Sequence, residues 1–127
     1  VRALLDGRAP VSTRCGARGE AGWLALINLA IWRPPGPELV SLPELEALVV
    51  CERRGRTLRL YDVVARVMPS LAAITARVGR GCDTVEVLFA PDALDAPELA
   101  PRPTPPGDVL MTRGPFAPTA LSPLAHC

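Results

Sequence analysis

Apolar runs separated by polar turns stand out most clearly through the middle of the chain. Leu45 to Glu52 and Thr57 to Ala65 are rich in Val and Leu, and they flank the polar stretch Arg53-Arg54-Gly55-Arg56. Gly55 can adopt the positive φ that a tight reversal requires. The pattern predicts a β-hairpin, Glu46–Cys51 against Thr57–Val64. Downstream, Leu71, Ile74 and Val78 recur at three- and four-residue spacing, which paints one apolar stripe along a helix. Pro69 stands where a first helical turn starts, its missing N–H costing nothing there, and Gly79 supplies a C-terminal cap. Val85 to Ala90 reads as a further strand, closed by Pro91-Asp92. The order strand–turn–strand–helix–strand predicts an α/β fold: a mixed sheet with a β-hairpin and a helix crossing between parallel strands, right-handed by the usual rule.

The flanks carry weaker patterns. Pro10 to Ala17 has the makings of a short strand, followed by a Gly-rich turn from Gly19 to Gly22. Trp23 to Trp32 is apolar on nearly every side and fits either a buried helix or a central strand, a choice that periodicity cannot make. At about ten residues it falls well short of the ~20 that a membrane span needs, so the chain reads as soluble. Pro34-Pro35-Gly36-Pro37 ends it. From Pro91 to Pro106 the chain is Pro-rich and acidic, and residues 91–108 are expected as a surface loop. Val109 to Thr112 suggests a short last strand, and residues 117–127 an irregular tail. No internal repeat is visible, and residues 1–127 read as a single domain.

Composition changes this picture only in places. The 14 Lys+Arg and 13 Asp+Glu nearly cancel, which removes the basic footprint expected for nucleic acid or an anionic membrane. Every cation is arginine, glutamine is absent and Asn28 is the only asparagine, a profile typical of a GC-rich genome. Without lysine, Schiff-base and phosphate-loop lysine chemistry are excluded. The four cysteines, Cys15, Cys51, Cys82 and Cys127, are widely spaced, and His126 is the sole histidine. That spacing argues against a zinc site and favours free thiols in a cytosolic protein. The chain opens at Val1 on a run that reads like protein interior, so a fragment of a longer chain is expected.

Few motifs carry chemistry. Gly79-Arg80-Gly81 follows a helix and precedes a strand, the reverse of a dinucleotide-binding context, so capping and turn formation explain it. Tyr61 and Asp62 are neighbours inside a strand, and alternation sends their side chains to opposite faces. Aimed at a substrate, they could serve as general acid and base. The packing reading is preferred: Tyr61 with its hydroxyl at a rim, and Asp62 capping or pairing locally. Arg53, Arg54, Arg56 and Arg59 form a basic cluster able to hold anions, which Glu44, Glu46 and Glu52 are expected to neutralise.

Three stretches together resemble a known family: Leu58 to Val64 with Met68 to Leu71, Val87 to Leu94, and Leu110 to Phe116 with the ending Pro123 to Cys127. They are similar to the C-terminal portion of bacterial GNAT-type N-acetyltransferases, in which an acetyl-CoA lobe lies upstream. The resemblance runs from about Pro10 onward and rests on packing and turn signatures. It implies acyl transfer from acetyl-CoA to the amine of a small molecule or peptide. It also implies a phosphate-binding loop of the form Arg/Gln-x-x-Gly-x-Gly/Ala between a strand and a helix. The similar place here is Arg66 to Ser70, where Arg66 is present, no glycine follows, and Pro69 removes a donor. The expectation is therefore a non-catalytic C-terminal lobe that packs on the acetyl-CoA lobe and shapes the acceptor-amine site. Should this lobe take part in catalysis, the candidates are Tyr61, Asp62, His126 and the C-terminal carboxylate of Cys127, whose competing reading is a frayed end. The alternative is a stand-alone interaction module that uses Trp23–Trp32 or the hairpin edge.

Overall fold

The computed structural model describes residues 2–12 and 36–100. Within them a short helix α1 (Arg2–Asp6) precedes strands β1 (Glu38–Leu42), β2 (Ala47–Arg54) and β3 (Thr57–Ala65), helix α2 (Leu71–Val78) and strand β4 (Thr84–Val87). The strands form one mixed sheet in the order β1-β2-β3-β4. The first three are antiparallel neighbours, and β4 lies parallel to β3 after the α2 crossover.

The hairpin forms where the two apolar runs and the turn glycine place it. Gly55, at φ +60°, provides the left-handed position of its two-residue turn. Its start differs by one residue. Glu46 is not in the strand but holds a left-handed conformation, φ 47°, at the end of a 3-10 turn over Pro43–Leu45. That turn joins β2 to β1, a strand the sequence pattern did not single out. In β1 the side chains of Val40 and Leu42 pack on the core, while Leu39 is 45 % exposed.

Helix α2 starts two residues later than Pro69 suggests. Ser70 is its N-cap, the hydroxyl accepting from the Ala73 N–H at 3.2 Å, and Pro69 lies outside. Gly79 ends it as expected, its N–H donating to the Thr75 carbonyl at 2.8 Å. A methyl group on Gly79 would stand 2.6 Å from that same carbonyl oxygen. Leu71 and Ile74 press the helix onto one face of the sheet, against Leu42, Val49, Leu58, Leu60 and Phe89. Strand β4 stops at Val87, earlier than Ala90, and Phe89 folds back into this core.

The described part of the Pro-rich stretch, residues 91–100, is irregular but is not wholly a surface loop. Leu94 is buried and Leu99 packs on the core. Apolar residues interleaved with the prolines explain the difference, since Leu94, Ala96 and Leu99 pack on the core. Of the expected Pro10–Ala17 strand, only Pro10 to Ser12 are described, and they are not in a strand. No helix among the described residues is long and apolar enough to cross a membrane.

Candidate functional site

The polar site grows out of an irregularity in β3. Val50 pairs with Asp62 and Cys51 with Leu60, which leaves Tyr61 as an extra residue with no opposite number. Such a β-bulge lets two successive side chains share one side of a sheet. Leu58, Leu60 and Val63 all face the α2 core. Tyr61, Asp62 and Val64 make their contacts on the opposite face, with Glu52, Arg8 and Leu4 respectively. Tyr61 and Asp62 therefore do not point to opposite faces; the bulge brings them together.

Asp62 is buried and doubly held. The Arg8 guanidinium donates to both carboxylate oxygens, Nη2 to Oδ1 at 2.9 Å and Nη1 to Oδ2 at 3.1 Å. The Val63 N–H donates to Oδ1 at 2.8 Å. With side chains 2 % and 6 % exposed, this ion pair is cut off from water. Burial pushes the Asp62 carboxyl above its ordinary range, against the opposing pull of Arg8. The pairing is not local: Arg8 comes from 54 residues away, just after α1.

Beside it, the Tyr61 hydroxyl donates to Glu52 Oε2 at 2.7 Å, and Arg54 donates to Oε1 of the same carboxylate at 2.9 Å. These two bonds, Arg54 first, hold the Glu52 carboxyl below its usual range, while burial and then Glu52 itself push the Tyr61 phenol up. Tyr61 is buried as a residue. Arg59, opposite Glu52, pairs across to Glu86 of β4 at 2.7 Å. Arg56 pairs with Asp83, and Arg53 donates to the Val78 carbonyl at the C-terminus of α2. The arginine cluster is thus neutralised by Glu52, Asp83 and Glu86; Glu44 pairs instead with Arg77. Arg54 and Arg56 remain largely solvated, as expected of a turn.

As chemistry, this is a set of mutually committed groups. The Asp62 carboxylate accepts three hydrogen bonds and the Tyr61 proton is directed at Glu52. Each is thus engaged in an internal polar contact, Tyr61 with Glu52 and Asp62 with Arg8. Arg8 carries no sequence signal as a partner, because nothing local links it to Asp62.

The place resembling a phosphate-binding loop does not fit a pyrophosphate. At the α2 N-terminus the Leu71 N–H donates to the Asp95 carbonyl at 3.1 Å, and the Ala73 N–H is taken by Ser70. Pro69 has no donor, and Arg66 is exposed. Gly79 and Gly81 form a cap and a turn, the latter at φ +76°.

Cys51 and Cys82 are free thiols, and burial, then Glu38, pushes the Cys51 thiol up to about 11. No cluster of potential metal ligands occurs among the described residues. His126, Cys127, Cys15, Trp23–Trp32, the Gly19–Gly22 turn, the Val109–Thr112 strand and the 117–127 tail lie outside the described residues. Comparison with known proteins gives no match to a family model, to a curated protein or to a solved structure.

Proposed function

We propose that this chain is the C-terminal portion of a bacterial, cytoplasmic GNAT-type N-acetyltransferase. In this reading it packs on an acetyl-CoA-binding lobe of the same protein and shapes the site for an acceptor amine. The observation that supports it is the sequence of elements after β2: strand, crossover helix and parallel strand, with the helix N-terminus already occupied. The order is the one by which the superfamily presents a phosphate-binding loop. Here Ser70 and the Asp95 carbonyl take the donors that a pyrophosphate would need. A lobe that has kept the scaffold and filled the cofactor position leaves acetyl-CoA to its neighbour.

The reading frame upstream of Val1 tests this. It is expected to encode a strand, a glycine-rich loop and a helix in continuous frame. A stop codon beside Val1, with a start nearby and no such segment, would overturn the proposal. Titration of the chain with acetyl-CoA is expected to show no binding at millimolar concentration. If the C-terminus reaches the neighbouring lobe, deleting His126 and Cys127 from the whole enzyme slows turnover; unchanged turnover removes them as catalytic candidates.

The interaction-module alternative remains the second reading. Both flanks of the hairpin are paired, β2 along β1 and β3 along β4 over Thr57–Leu60.

A further inference from the structure

The segment from Arg2 to Ser12 is bound to the sheet in an unusual way. Its helix α1 has only five residues, too few to persist without tertiary contacts. Leu4 packs on Leu48 and Val64, on the face away from α2. The Ala9 N–H donates to the Ala65 carbonyl at 2.7 Å, and Val11 reaches the main core. Between these contacts stands the Arg8–Asp62 pair. Arg8 Nε is buried without an acceptor, so the guanidinium has given up part of its hydration and is compensated chiefly by one carboxylate.

The bulge decides where that carboxylate is. In an unbroken strand Asp62 would share the face of Leu58 and Leu60 and point into the α2 core. The extra residue, Tyr61, turns it to the other face, where Arg8 meets it. Strand irregularity and buried pair are two parts of one arrangement that gives residues 2–12 a single, strongly held position.

We propose that residues 2–9 act as a clasp that opens from the sheet as one unit while Val11, β1–β4 and α2 stay in place, with Arg8 and Asp62 as its catch. Opening separates the two charges of the pair and withdraws Leu4 from Leu48 and Val64. The clasp is independent of the acetyltransferase reading.

Native-state hydrogen exchange on the whole chain tests it, with the Ala9 amide reporting the clasp and the β2–β3 ladder amides reporting global opening. In the unaltered protein, Ala9 is expected to exchange through an opening with a smaller urea dependence than the ladder. Asp62→Asn, which leaves the Arg8 cation without its carboxylate partner, is expected to speed Ala9 exchange at least about tenfold. Ile74→Val, on the far face, is expected to speed the ladder about two- to tenfold and to leave Ala9 unchanged. If Ala9 follows the ladder in Ile74→Val, or shares its urea dependence, or does not respond to Asp62→Asn, the clasp is overturned. Should Asp62→Asn fail to fold, the Ile74→Val and urea measurements decide alone.

Discussion

At Asp62 the folded protein holds a carboxyl group that burial disfavours as an anion and that one guanidinium pulls the other way. Replacing Arg8 by Met removes the compensation. The variant is expected to lose stability in urea denaturation at pH 7, by no more than the about 3–5 kcal/mol typical of a broken buried pair. Because the folded carboxyl titrates above its ordinary value, protonation favours the folded state. Its stabilising contribution is complete below the ordinary pKa and is lost as pH rises through the folded one. The deficit of Arg8→Met is therefore largest near neutrality and shrinks on acidification. Adding Asp62→Leu to Arg8→Met should recover most of the loss, since the charge to be solvated is gone. Cys51 gives a second residue-scale prediction. A buried thiol held near 11 is protonated at pH 8, so peptide mapping after alkylation should show Cys51 labelled far more slowly than the partly exposed Cys82.

Elements differ in how plainly the sequence announces them. The hairpin is legible because apolar, Val-rich runs flank a turn glycine, and α2 because its apolar stripe lies between Pro69 and Gly79, although the cap itself is Ser70. Strand β1 carries no such agreement: five residues following a proline run are a strand only because β2 offers an edge to pair with. The bulge is illegible for another reason. One extra residue leaves no compositional mark, yet it reassigns every side chain on one side of it. Asp62 was legible as a candidate and its surroundings were not, since its partner enters from a distant segment. Two substitutions check the local chemistry. Ser70→Ala should cost about 1 kcal/mol in thermal or urea unfolding through loss of the helix cap. Glu46→Gly should stabilise the protein by about 0.5–1 kcal/mol, because Glu46 holds a positive φ that suits glycine better.

For the molecule as a whole, the two faces of the sheet do different work. One is apolar and covered by α2, Phe89 and Leu94; the other carries the Arg8–Asp62 and Tyr61–Glu52 contacts. The layout also bears on how the chain finds its fold. Among the described residues, the strands lie side by side in the order in which they occur in the chain. Each strand can therefore add to one already in place as the polypeptide emerges, and only β4 must wait for a crossover to close. The turn at Gly55 is expected to belong to the folding nucleus, and β4 to join after the rate-limiting step. In stopped-flow experiments Gly55→Ala should mainly slow refolding, whereas Val87→Ala should mainly speed unfolding. A sheet laid down in this order is assembled from its antiparallel side first, and its one parallel pairing is the last to be committed and the first to be released.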